Sequence, residues 1–147
     1  MLKKYLKNQK GLTLVELLAV IVILGIIAAI AVPTIGNVIE KTRFDAVRAD
    51  AMQVLDAAKL KAASEGVSDA PFNSTELNTY IKDVSNLTTY EVQVVSDASY
   101  TISFTTKEIG GVIYKTKKNL TISELDSNDI FPKDKKTATN AIEVVTK

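Results

Sequence analysis

The sequence predicts an α+β fold: one long N-terminal helix packed on a small antiparallel β-meander. Three observations predict it. An apolar block with a single charge runs from Leu12 to Ile39 near the N-terminus. A helical spacing of apolar residues follows without a break, and from Tyr90 the period changes to two. At 147 residues the chain is long enough for one compact domain and an appendage.

Leu12 to Ile39 carries one charge, Glu16, and Leu17 to Val32 has no polar side chain at all. With its flanks the stretch passes the roughly 20 residues needed to cross a bilayer core. Lysines precede it, which places the leader in the cytoplasm and the remainder outside. A cleaved secretory signal has a shorter apolar region ending at a small-residue site. A buried core helix would need more sequence around it than this chain supplies. A signal anchor fits the hydropathy but leaves Glu16 without a purpose, because an ionisable group at membrane depth is costly and calls for a partner.

Beyond Pro33 the pattern stays helical to about Glu65. Phe44, Val47, Ala51, Val54, Leu55, Ala58 and Ala62 share one face, with Asp45, Asp50, Gln53 and Asp56 on solvated faces. Gly66 supplies a C-cap. Asn73 and Glu76 form a capping box for a short covering helix with Leu77, Tyr80, Ile81 and Val84 on its apolar side. Tyr90, Val92 and Val94, then Tyr100, Ile102 and Phe104, alternate as strands around a turn at Ser96 to Ser99. Glu108 to Gly111 turns the chain into Val112 to Thr116. Leu120, Ile122 and Leu125 read as a further short strand, and Ile142 to Val145 as an edge strand or tail.

Composition removes whole classes of chemistry. With no cysteine and no histidine there is no disulfide framework, thiol nucleophile, Ser-His-Asp triad or usual zinc site. Carboxylate pairs (Asp45 with Asp50, Asp126 with Asp129) sit on solvated faces or in loops, and Asp126 to Asp129 lacks the full pattern of a calcium loop. No catalytic residue, metal site or cofactor is expected, and an enzyme reading has little to rest on. The net charge is +1, yet the first eleven residues hold Lys3, Lys4, Lys7 and Lys10 with no acid, so the remainder is slightly acidic. That balance gives DNA affinity no support, although Lys115, Lys117 and Lys118 form a small basic cluster.

The string Lys10-Gly11-Leu12-Thr13-Leu14-Val15-Glu16, followed by the apolar helix, resembles the class III signal of type IV prepilins and pseudopilins. The family usually has Phe after the cleaved bond, where this chain has Leu12. The resemblance covers about the first third of the chain and implies a type IV pilin-like fold. It implies a leader at 1–11, a membrane and filament-core half-helix at 12–33, an amphipathic half-helix at 34–65 and a globular head at 66–147.

It further implies that a prepilin peptidase and methylase cuts between Gly11 and Leu12 and methylates the Leu12 amine. Glu16 would meet that amine on a neighbouring subunit. Gly25 through Pro33 would be the stretch that kinks, or melts within a filament. The partners implied are further copies of the chain in a helical filament, the membrane before assembly, and an inner-membrane platform with its ATPase.

The function implied is a pilin of a surface filament serving adhesion or motility. A competence pseudopilin, a type II secretion pseudopilin and an uncleaved signal-anchored protein are the alternatives. The location implied is a single-pass cytoplasmic membrane protein that becomes an extracellular filament. The absence of a closing disulfide points to a Gram-positive host.

Overall fold

The computed structural model describes residues 2–96, 99–127, 130–132 and 138–145, with side chains described from Thr13 onward. The chain divides into two units, residues 1–39 and 40–147. Helix α1, Leu2–Glu65, supplies all of the described first unit and the opening of the second. It extends to Glu65 as the sequence predicts. Gly66 follows at φ 91°, and its N–H donates to the Ala62 carbonyl at 2.9 Å. A left-handed residue just beyond the last turn is where glycine ends helices without steric cost.

In the second unit α1 lies against a sheet of order β1-β2-β3-β4-β6, with β5 also pairing β3. The strands are β1 (Phe72–Asn73), β2 (Leu87–Ser96), β3 (Ser99–Thr106), β4 (Ile113–Thr116), β5 (Leu120–Thr121) and β6 (Ile142–Val145), and all pairings are antiparallel. The β2-β3-β4 meander is the predicted one. Asp97 and Ala98 of the predicted first turn lie outside the described residues. At the second turn Ile109 and Val112 exchange both backbone hydrogen bonds around Gly110 and Gly111, at φ 59° and 88°. Two consecutive positive φ values define the hairpin turn whose twist suits flanking strands, and glycine is the residue that adopts them cheaply.

The core forms between the expected face of α1 and the inward side of the sheet. Val47, Ala51, Val54, Leu55 and Ala58 meet Tyr90, Val92, Ile102, Phe104, Tyr114 and Ile142. Phe44 is stacked on Phe131 at 4.6 Å between centroids and stands edge-on to Tyr114 at 5.3 Å. This aromatic trio brings the segment around Phe131 onto the helix without a covalent link, and the interactions exceed simple area burial by about 1 kcal/mol per pair.

Four local expectations change. The capping box at Asn73 and Glu76 forms, but helix α2 is only Ser74–Leu77. The chain then turns, and Tyr80, Ile81 and Val84 become half-buried from irregular backbone. Leu120 to Leu125 is a two-residue strand running into helix α3, Ile122–Asp126. Thr121 caps α3 with Glu124 in a second capping box, which turns Leu125 into the core and leaves Ile122 exposed. The β1 strand was not anticipated. Asp50 is buried and not solvated: its carboxylate accepts from the Asn86 backbone N–H at 2.8 Å and from the Asn86 side-chain amide at 3.0 Å.

Other polar groups hold the unit at its margins. Arg48 donates from Nε to the Leu125 carbonyl at 2.8 Å and from a terminal nitrogen to the Ser127 carbonyl, while pairing with Asp45. It thereby satisfies carbonyls at the end of α3 that the helix itself leaves open. Thr106 and Thr116 point into the core from β3 and β4, where apolar residues are the rule. Their hydroxyls accept from the Tyr114 and Phe104 backbone N–H groups, replacing ladder bonds on either side of the Thr105–Lys115 pair.

Asp50→Ala leaves the Asn86 donors without their acceptor, which costs about 1–3 kcal/mol. Asn86→Ala spares the backbone bond and costs less. Urea unfolding of the full chain in detergent, followed by tyrosine fluorescence, checks that order. A second expectation concerns acid. The Lys118 ammonium, then the Thr121 backbone N–H, hold the Glu124 carboxyl at about 2 against its ordinary 4.5. A depressed carboxylate contributes stability above its unfolded value and loses it as pH falls toward the folded one. The acid-dependent loss between about pH 4.5 and pH 2 should therefore shrink in Glu124→Gln, as read by unfolding across that window.

Candidate functional site

In the first unit every residue from Thr13 to Ile39 is exposed, except Ala31, which is half-buried. Leu14 and Ile30 are each 69% exposed, and Leu18, Val22 and Ile26 exceed half. The apolar surface runs all round the helix. This chain therefore does not bury it, and water is a poor covering for it. The helix is long and apolar enough to cross a membrane.

Glu16 is exposed and is the one ionisable group between Thr13 and Ile39. It sits four residues, about one helical turn, beyond Leu12 in α1. Gly11 and Leu12 belong to α1, and the side chains of Leu12 and of the leader lysines are not among those described.

Gly25 and Pro33 both fall within continuous helix. Pro33 has no N–H to offer the Ala29 carbonyl, so one rung of the helical ladder is missing. One residue later the Thr34 hydroxyl donates to the Ile30 carbonyl at 3.0 Å. Its polar group is thereby satisfied within the helix, as a lipid-facing segment requires. A Cβ added at Gly25 would meet nothing within 4 Å. Packing inside this chain therefore does not require a glycine there, and glycine weakens a helix by about 1 kcal/mol relative to alanine.

The remaining candidates are scattered over the second unit. Asp45 pairs with Arg48, and Asp50 is committed to Asn86. Asp126 ends α3, and Asp129 lies outside the described residues. Among the described residues no three Asp or Glu side chains gather as a metal site. The basic cluster is partly engaged: Lys117 donates to the Thr139 carbonyl at 2.8 Å, and Lys118 pairs with Glu124.

Lys61, which sequence reasoning passed over, is buried at the end of α1. It bonds Glu65, and its ammonium lies 5.4 Å from the Phe72 ring centroid and 5.8 Å from that of Tyr80. Tyr80 donates to the same Glu65 carboxylate. The Glu65 hydrogen bond raises the Lys61 pKa, and Lys61 with Tyr80 lowers that of Glu65, so both stay charged at neutral pH. A lysine at i and a glutamate at i+4 were the only sequence signal for this group.

No curated protein and no solved structure matches the chain. The family profile described as the prokaryotic N-terminal methylation motif matches residues 6–32. That match spans Gly11, Glu16 and the start of the exposed apolar helix, and it implies processing by a prepilin peptidase. The N-terminal segment therefore carries a prokaryotic N-terminal methylation motif, which supports a class III signal of the type IV pilin and pseudopilin kind.

Proposed function

We propose that this chain is the structural subunit of a type IV pilus-like surface filament, held in the membrane before assembly and packed through α1 afterwards. One observation carries the reading: from Thr13 to Ile39 the helix is exposed and predominantly apolar on all sides, with Glu16 as its one charge, inside the methylation motif. Lipid covers such a surface in the precursor, and neighbouring copies of the same helix cover it in a filament.

On this reading residues 1–11 are a leader removed between Gly11 and Leu12, and Leu12 becomes the methylated first residue. Residues 12–33 enter the filament core, 34–65 carry the amphipathic half of the helix, and 66–147 form most of the head. The Leu12 amine of one subunit and Glu16 of another neutralise each other. Their attraction is far stronger in an apolar medium than in water, so it sets axial register as well as offsetting burial of charge. The missing rung at Pro33 and the unneeded glycine at Gly25 support a stretch that loses helicity under load. The role is structural, and adhesion or motility follows from the filament.

A competence pseudopilin would share all of this machinery. DNA contact draws little support, because the chain beyond the leader is slightly acidic and Lys118 of the basic cluster is paired with Glu124.

Intact mass and N-terminal sequencing of material sheared from cells should give a chain beginning at methylated Leu12. Gly11→Val should leave the leader attached and the protein in the membrane. A wild-type chain that still begins at Met1 and never sediments would overturn the proposal.

Glu16→Ala leaves the Leu12 ammonium unpaired at a cost of a few kcal/mol. Cleavage should be unchanged while filament yield falls by about tenfold or more, read by immunoblot of sheared and cell-bound fractions. Normal filament yield would remove Glu16 from assembly.

A further inference from the structure

Pro33 leaves the Ala29 carbonyl without its helical donor, and no described side chain replaces it. The Thr34 hydroxyl bonds the next carbonyl along, that of Ile30, at 3.0 Å. Water readily satisfies an open carbonyl, but in an apolar medium the donor must come from protein. The exposed stretch from Thr13 to Ile39 offers few. Its polar side chains are Thr13, Glu16, Thr34 and Asn37. A Glu16 carboxylate only accepts, Thr34 is committed to Ile30, and Thr13 already has a partner. Asn37 is exposed and its side chain bonds no other described residue, so both of its amide N–H groups are open.

This open acceptor and this open donor cannot meet within one chain. Ala29 and Asn37 are eight residues apart, about 12 Å along a straight helix, which is beyond the reach of an asparagine side chain. They do lie toward one side of α1, because eight residues make just over two turns and leave them within about 80° of each other. Two parallel copies offset by roughly 10 Å bring the groups level, since a helical side chain leans toward the N-terminus and takes up the remainder.

We propose that Asn37 of one copy donates to the Ala29 carbonyl of the next, so that the filament supplies the rung that Pro33 removes. The inference rests on the filament reading above and names one contact within it. The offset that brings one Asn37 to its neighbour's Ala29 carries the reciprocal pair apart. Two copies therefore always leave one donor and one acceptor open, and a third copy must follow. A heterologous contact of this kind propagates along an open helical filament and does not stop at a dimer.

A double-mutant cycle on filaments sheared from cells tests it, reading the rate at which subunits leave in mild detergent at fixed temperature. Asn37→Ala should release subunits about threefold faster, the effect typical of one hydrogen bond between membrane helices. Pro33→Ala gives the Ala29 carbonyl its own donor back, so Asn37→Ala should change nothing in that background. Equal acceleration in both backgrounds, or none in either, overturns the proposal. If Pro33→Ala chains do not assemble, solid-state NMR reads the carbonyl directly. Carbonyl-13C alanine with 15N isoleucine marks only the Ala29-Ile30 and Ala141-Ile142 peptides. The Ala29 signal should move between wild-type and Asn37→Ala filaments, and an unmoved signal overturns the pairing. Wild-type filaments that form but fail these tests remove this contact alone. A wild-type chain that forms no filament overturns the filament reading and the contact with it.

Discussion

The apolar surface of α1 between Thr13 and Ile39 is the constraint on which everything else depends. It is exposed on all sides, and burial of apolar area is the dominant favourable force in folding and association. A helix apolar on one stripe finishes its work by packing on its own chain. A helix apolar all round needs a second medium or other molecules. The charge at Glu16 and the missing hydrogen bond at Pro33 take their meaning from that setting. In water each would be unremarkable, whereas in an apolar medium an unpaired charge or an open carbonyl costs several kcal/mol.

The second unit answers a different problem, which is to close a small αβ structure without cysteine. Three polar devices and one aromatic cluster do so at separate places. Asp50 ties the strand-entry loop at Asn86 to the helix, and Arg48 holds the end of α3. The Lys61, Glu65 and Tyr80 group fastens the segment that follows Gly66. Phe44, Tyr114 and Phe131 pack the segment around Phe131 against α1. Each replaces a covalent staple with partners that are nearly all satisfied: among the described residues no buried side-chain nitrogen or oxygen lacks a hydrogen bond. That matters because a half-satisfied buried network destabilises more than an apolar core would.

Where the sequence was easy to read, the signal was local or periodic. The apolar face of α1, the glycine at its end, the two capping boxes' chemistry and the Gly110-Gly111 turn rest on contacts within a few residues. The first capping box and the turn were recognised; the second, at Thr121 and Glu124, was hidden because Leu120 and Ile122 also fit alternation. The short α2 and the buried Asp50 were misread for a related reason. Helical spacing of Leu77, Tyr80, Ile81 and Val84 is equally served by a turn that keeps them against the core. A carboxylate on a helix face looks solvated until a distant loop brings Asn86 to it.

The sequence alone therefore determined the N-terminal signal, the length of the apolar helix, its single charge and the change from helical to strand period. Those are written in neighbouring residues and in spacing. Only the tertiary structure decided which polar residues are buried, which lysines are engaged, and that Thr89, Thr105, Lys115 and Glu143 stand in one row. Such pairings join residues tens of positions apart, and strand register, a property of the whole sheet, sets which of them meet.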